Sequence, residues 1–253
     1  MNRLIHFCFI YPFLINALNV QGLVSIFISA TIGQILSYST LLFIFLGISL
    51  IVKNKTNYTT TGNLWLHFFF TYFVLSTIAS IVHFFPFSIL SSLVPVLFCI
   101  GYMSYFRFED NIRRFEIITM IVCTIANALL IYFVIINFDY DFYQIGLKID
   151  YGLDRAQGIY GDANNAALVG VLGYAFVSQC YVPKNLFQKV FKLVLLGVSA
   201  YAMYLTYSTT GFVAFTAVLA LLNFKYFTKA RLVMLPFILI GFYLILLNLG
   251  DLL

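Results

Sequence analysis

Long apolar stretches separated by short polar segments are the dominant pattern of this 253-residue chain. Each stretch is close to the roughly 20 residues that an α-helix needs to cross a membrane, and irregular backbone facing lipid would leave its amides unpaired. The pattern predicts nine membrane-spanning helices, numbered here as spans 1 to 9, at about Leu4–Ile28, Thr31–Val52, Leu64–Phe85, Pro86–Phe106, Phe115–Phe138, Asn164–Val182, Val190–Tyr207, Thr210–Phe224 and Leu232–Leu249.

Composition supports this prediction. Hydrophobic residues make up 62% of the chain and charged residues 9%, whereas a soluble domain is about 45–50% apolar and about 25% charged. We therefore expect an all-α polytopic integral membrane protein, with residues 1–253 forming a single transmembrane helical domain. Span 1 is interrupted by Asn16, Asn19 and Gln21. A cleaved signal peptide is its alternative interpretation, although no clear small-residue cleavage site follows.

The distribution of Lys and Arg predicts the orientation, because basic connecting segments stay in the cytoplasm. With the amino terminus inside and the carboxyl terminus outside, only Lys148 and Arg155 of the 14 basic residues lie on the outer side. The net charge of +5 therefore reflects topology and gives no reason to expect nucleic-acid binding. The predicted inner residues are Arg3, Lys53, Lys55, Arg107, Arg113, Arg114, Lys184, Lys189, Lys192, Lys225, Lys229 and Arg231.

The interiors of the predicted spans are poor in polar groups. No Asp, Glu, Lys or Arg lies at the middle of a span, which disfavours an ion-coupled carrier. Asn127 and Gln34 are expected to form hydrogen bonds between helices. Ala166, Gly170 and Gly173 share one face of span 6, and small residues on one face favour close helix packing.

The sequence contains no metal-binding motif and no paired-cysteine motif. The cysteines have no CxxC spacing and the histidines no HExxH or i,i+4 pairing, so buried thiols and helix-end histidines are expected, with no metal site and no cofactor. These residues are Cys8, Cys99, Cys123, Cys180, His6, His67 and His83.

The longest polar segment, residues 139–163, is expected to be an outer polar loop, and loops of this length are usually functional or disordered. Asp162 or Asn164 fits as the cap of span 6. A helix start offers free N–H donors, and the guanidinium of Arg155 is a planar, permanently charged fork. Together they suit a phosphate or diphosphate.

Two other interpretations of the loop remain open. Arg155 could pair with Asp154 or Asp150 at the membrane surface, with no ligand involved. Asp139 and Asp141 form an Asp-x-Asp pair that could bind a divalent metal, although two solvated carboxylates are the commoner interpretation.

The loop resembles a known family. Residues 155–158 read Arg-Ala-Gln-Gly, and residues 161–167 read Gly-Asp-Ala-Asn-Asn-Ala-Ala and open a helix. This resembles the outer-loop motif of the bacterial O-antigen ligase and O-antigen polymerase superfamily, Arg-x-x-Gly followed by Asn/Asp-Pro-Asn-x-x-Ala. Residues 208–211, Ser-Thr-Thr-Gly, resemble the family's Ser-Arg-Ser/Thr-Gly element. The resemblance covers about Tyr151 to Phe224.

The chain also departs from the family pattern. Ala163 stands where the family often has proline, and Thr209 where it often has arginine. Family members are usually longer and carry a second large outer loop after the equivalent of span 9. The resemblance therefore implies that this chain is truncated relative to the family, either as a fragment or as a shortened relative.

The resemblance implies glycosyl transfer at the outer face of the bacterial inner membrane. The expected activity is polymerisation of undecaprenyl-diphosphate-linked oligosaccharide repeat units into surface polysaccharide, O-antigen or capsule, within the lipid bilayer and with a chain-length regulator as a further partner. The alternatives are an O-antigen ligase that transfers glycan to lipid A core, a transporter of lipid-linked glycan, and a purely structural membrane subunit. The implied catalytic residue is Arg155, and the implied substrate-binding residues are Gly158, Asp162, Asn164, Asn165 and Ser208.

Overall fold

The computed structural model describes residues 2–51, 60–82, 86–106, 109–140, 145–150 and 153–222. This part of the chain is mostly helical. Its helices are α1 (Asn2–Ala17), α2 (Val20–Phe27), α3 (Ala30–Ile51), α4 (Thr60–Val82), α5 (Pro86–Tyr105), α6 (Glu109–Ile135), α7 (Ala163–Cys180), α8 (Leu186–Leu205) and α9 (Thr209–Leu222).

Spans 2 to 8 each overlap one observed helix, α3 to α9. Predictions that lie outside the described residues are span 9 at Leu232–Leu249 and the residues Lys53, Lys55, His83, Arg107, Asp141, Lys225, Lys229 and Arg231.

Span 1 was predicted as one helix, and this prediction is wrong. The chain forms α1 and α2, which are bent by 58° at the break between them. Asn19 at the break has φ 46°, in the left-handed region that Asn tolerates better than most residues. Its side chain is held by a residue far along the chain, as described below for the candidate site.

The all-α prediction is wrong in one respect, because the chain also contains a small β-sheet. Strands β1 (Asp139–Tyr140), β2 (Ile145–Asp150) and β3 (Leu153–Gly158) form an antiparallel sheet in the order β1-β2-β3. Apolar residues alternate with Gly, Lys and Asp along β2, which is the pattern of a strand with one covered face. The predicted polar loop at 139–163 is therefore largely a hairpin.

Several helices are suited to a membrane. Within the described ranges, three are long and apolar enough to cross one, Ala30–Ile51, Asn111–Ile135 and Leu186–Leu205, and the bent pair α1–α2 makes up to four. This is fewer than the nine predicted. Large apolar side chains lie exposed on these helices, among them Leu42 at 63% and Leu193 at 67%, as expected for surfaces that face lipid.

Helices α6, α7 and α8 pack closely through small residues. The predicted face of Ala166, Gly170 and Gly173 is buried, which confirms that prediction. The amide of Asn127 donates to Ser199 Oγ at 3.3 Å, so the interhelical hydrogen bond expected of Asn127 is confirmed. Gln34 is instead exposed on α3, so burial does not support the interhelical hydrogen bond predicted for it.

The two ends of the helix bundle differ in chemistry. At one end His6 of α1 lies against Tyr105 at the end of α5 and Arg114 near the start of α6. The amine of Lys192 donates to the carbonyls at the end of α7 at this same end. The hairpin, the start of α7 and the α8–α9 turn lie at the opposite end, which is called the hairpin end.

Candidate functional site

The hairpin brings Arg155 and Gly158 to the end of α6. Lys148 lies directly opposite Arg155 in the β2–β3 ladder, a second basic position that sequence reasoning did not assign to the site. Gly158 has φ 57°, which favours glycine, and a Cβ there would lie 3.2 Å from Leu130 Cβ on α6. Gly158 therefore turns the chain from β3 towards α7 where little space is available.

Arg155 is partly buried and tied to the end of α8. Its Nε donates a hydrogen bond to the carbonyl oxygen of Thr206 at 3.2 Å. Carbonyls at the end of a helix carry partial negative charge, so a cation there is stabilising. Arg155 thus has a structural contact in addition to the role predicted for it. The side chains of Asp150 and Asp154, its alternative partners, lie outside the described residues.

Asp162 is the N-cap of α7, which confirms one of the two caps considered from the sequence. Its carboxylate accepts hydrogen bonds from the backbone N–H groups of Asn164 and Asn165, both at 3.2 Å. Those amides were expected to bind a diphosphate, but they already bind a carboxylate within the chain. An incoming anion would have to displace Asp162 to reach them. Asn165 itself is exposed at the start of the helix.

Ser208 joins the two motifs that the sequence analysis singled out. Its hydroxyl donates to Asn164 Oδ1 at 2.7 Å and accepts from the Gly211 N–H at 3.0 Å. Ser208 is fully buried, and it caps the start of α9 while holding the start of α7. The structure therefore brings together Arg155, Asp162, Asn164 and Ser208 at the hairpin end.

Replacing Ser208 by alanine is expected to lower the free energy of unfolding by about 2 kcal/mol, because the cap of α9 is lost and Asn164 Oδ1 loses its donor. Asn164→Ala removes the same contact from the other side. The double variant should therefore lose about 1 kcal/mol less than the sum of the two single variants. Unfolding of the purified protein in detergent micelles measures these differences.

Thr209→Ala is the matched control, because Thr209 is the exposed neighbour of Ser208. Its effect should stay within about 0.5 kcal/mol. Strict additivity of Ser208→Ala and Asn164→Ala would contradict a bond between the two side chains.

Two contacts of the hairpin end were missed in the sequence. Tyr160 Oη donates to the carbonyl of Ala17 at 2.7 Å, and Asn19 Nδ2 donates to the carbonyl of Ile159 at 2.7 Å. Burial raises the pKa of the Tyr160 hydroxyl, which remains a donor at neutral pH. The polar interruption of span 1 was the available signal, but it does not indicate which distant residue Asn19 meets.

The described residues contain no group of three or more His, Cys, Asp or Glu side chains that could hold a metal ion. Asp139 is exposed on β1, and its partner in the Asp-x-Asp pair, Asp141, lies outside the described residues. The metal alternative at that pair therefore stays a prediction. All four cysteines are free thiols, with Cys8 and Cys123 buried and Cys99 and Cys180 partly buried.

Comparison of the chain with protein-family models, with curated proteins and with solved structures gives no match.

Proposed function

We propose that the chain is a membrane glycosyltransferase that polymerises undecaprenyl-diphosphate-linked oligosaccharide units into surface polysaccharide. The observation that carries this proposal is the meeting of Arg155, Asn164 and Ser208 at one end of the helix bundle. These residues come from the two segments that resemble the O-antigen polymerase and ligase superfamily. The bond from Ser208 to Asn164 links the two segments directly, and the bond from Arg155 to the Thr206 carbonyl ties the first segment to the turn just before the second.

The proposed orientation puts the hairpin end outside the bacterial inner membrane. Described basic residues on α1, α6 and α8, among them Arg3, Arg114 and Lys192, belong to the opposite end, and basic segments stay in the cytoplasm. In the proposed nine-span topology α1 and α2 act as one bent span, α3 to α9 are spans 2 to 8, and Leu232–Leu249 is span 9. An outer site gives access to lipid-linked glycans after their transfer across the membrane.

The proposed reaction needs an acceptor, a donor and a leaving group. A hydroxyl of the acceptor glycan attacks the anomeric carbon of the donor glycan and forms the new C–O bond. The bond between that carbon and the diphosphate oxygen breaks, and undecaprenyl diphosphate leaves with the electron pair. The proton of the hydroxyl passes to solvent or to a base. A diphosphate is already a good leaving group, so the reaction demands no metal or nucleotide.

Arg155 is the proposed catalytic residue. Charge grows on the diphosphate oxygens as the bond breaks, and a positioned cation stabilises that charge. The hydrogen bond from Nε to the Thr206 carbonyl fixes the guanidinium before substrate arrives. Asp162, Asn164 and Ser208 hold the start of α7 beside it, and Gly158 and the exposed Asn165 complete the proposed substrate-binding set.

The experiment that tests this function uses sealed membrane vesicles of known orientation that contain the chain, with undecaprenyl-diphosphate-linked repeat units added only from outside. Right-side-out vesicles given substrate from outside should produce a ladder of glycan lengths, whereas inverted vesicles should not. Adding a chelator should leave the ladder unchanged, and its loss would instead favour the Asp139–Asp141 metal alternative.

Adding lipid A core as a second acceptor distinguishes polymerase activity from ligase activity. Transfer of the glycan to lipid A core in place of chain extension would assign the ligase activity. Absence of both products, in vesicles where the folded chain is present, would contradict glycosyl transfer and leave the transporter and structural alternatives.

A further inference from the structure

A cavity of about 380 Å³ lies between α1 and α6, at the end of the helix bundle opposite to the hairpin. Its lining has two kinds of residue, the polar Arg3, His6 and Arg114 and the apolar Ile10, Ile117 and Ile118. The polar residues precede the apolar ones on both helices. Arg3 and Ile10 are separated by about 10 Å along α1. The surface of the cavity is therefore mostly apolar, and its three basic side chains lie towards the end of the bundle.

Two of the polar groups are held in place by buried structure. Arg114 Nη1 donates to His6 Nε2 at 2.8 Å, and His6 Nδ1 lies 2.9 Å from Tyr105 Oη. Tyr105 is fully buried, and its ring packs edge-on against the imidazole of His6. This chain of contacts holds His6 and the guanidinium of Arg114 in place beside the cavity. Arg3 approaches from the first turn of α1 and is exposed.

We propose that this cavity binds an anionic phospholipid, with the phosphate group between Arg3 and Arg114 and an acyl chain along the three isoleucines. Two guanidinium groups match the charge and the oxygen acceptors of a phosphate, and arginine forks suit that geometry. Basic pockets between transmembrane helices on the cytoplasmic side are suited to acidic lipid headgroups. The apolar wall distinguishes a lipid from free phosphate, which would bury nothing against Ile10, Ile117 or Ile118.

This lipid site lies at the opposite end of the bundle from Arg155 and does not depend on the proposed glycosyltransferase activity; only its cytoplasmic position rests on the proposed orientation. Lys192, a neighbouring cation, is not part of it, because its amine donates to the carbonyls of Ser178 and Tyr181 at 2.7 and 2.8 Å. Lys192 therefore stabilises the end of α7, whereas Arg3 and Arg114 line the cavity.

The test is lipid binding to the purified full chain in detergent, measured by native mass spectrometry. Phosphatidylglycerol should bind more tightly than phosphatidylcholine, and Arg114→Gln and Arg3→Gln should each weaken phosphatidylglycerol binding about fivefold, the equivalent of ~1 kcal/mol per basic residue. Arg113→Gln is the matched control, because Arg113 is the exposed neighbour of Arg114 and does not line the cavity. It should change binding less than twofold.

Two further measurements distinguish binding of a phospholipid from binding of free phosphate. Inorganic phosphate alone should bind at least tenfold more weakly than the lipid, and Ile117→Ser should weaken lipid binding without changing phosphate binding. Equal effects of Arg113→Gln and Arg114→Gln, or equal binding of the two lipids, would overturn the proposal in favour of a general basic surface. Arg3→Gln keeps the test valid if Arg114→Gln fails to fold, since Arg3 is exposed in the first turn of α1.

Discussion

Arg155→Ala is expected to reduce glycan-chain extension in right-side-out vesicles by about 100- to 1,000-fold, the range found when a positioned donor to developing negative charge is removed. In the proposed mechanism the guanidinium stabilises the charge that grows on the diphosphate. Arg155→Lys should retain part of the rate, because the charge remains while the planar fork and the hydrogen bond to Thr206 are lost. The rate of ladder growth at saturating substrate is the measurement.

A structural role for Arg155 predicts a different result, since its Nε also stabilises the end of α8. Tyr160→Phe provides the comparison. It removes another hydrogen bond that holds the same segment, from Tyr160 to the carbonyl of Ala17, without changing charge. Both variants should lose about 1–3 kcal/mol of stability, but Tyr160→Phe should retain most of the activity. Equal activity losses in the two variants would remove Arg155 from the chemistry.

The helices were predictable because their signal is local. Apolar runs between Lys, Arg, Pro and Asn residues identified the helices α3 to α9, because the length and composition of each run indicate a helix without reference to distant residues. The break at Asn19 was not predictable, because the partner of its side chain is the carbonyl of Ile159, far along the chain. The β2–β3 hairpin was missed because a six-residue alternating pattern is short beside the long apolar runs.

The candidate site was predictable only in part, for the same reason. Asp162 as a cap follows from its position just before an apolar run. The bond between Asn164 and Ser208 and the contact of Arg155 with Thr206 are tertiary, and no spacing rule anticipates them. The sequence also suggested an open anion site at the start of α7. The carboxylate of Asp162 fills that site, so the cap itself competes with the predicted ligand.

Gly170→Ala is expected to destabilise the protein by about 2–3 kcal/mol, the upper range for overpacking a tight interface. A Cβ at Gly170 would lie 2.8 Å from the Cβ of Met203 and 3.1 Å from both the Met203 nitrogen and the Ser199 carbonyl oxygen. Two of these neighbours are backbone atoms of α8, so α7 and α8 must separate. Separation would also loosen the turn that carries Thr206 and Ser208. The midpoint temperature of thermal unfolding in detergent should fall by roughly 5 °C or more.

Gly197→Ala is the matched control for this prediction. It makes the same chemical change in a helix of the same pair, but a Cβ at Gly197 meets nothing within 4 Å. Alanine in a helix interior is favoured over glycine by roughly 0.5–1 kcal/mol, so this variant should be neutral or slightly more stable. Equal effects at the two glycines would mean that helix propensity decides the result, and would contradict close contact of α7 with α8. A loss confined to Gly170→Ala would instead show that the small-residue face of α7 sets the distance between the helices that carry the candidate site.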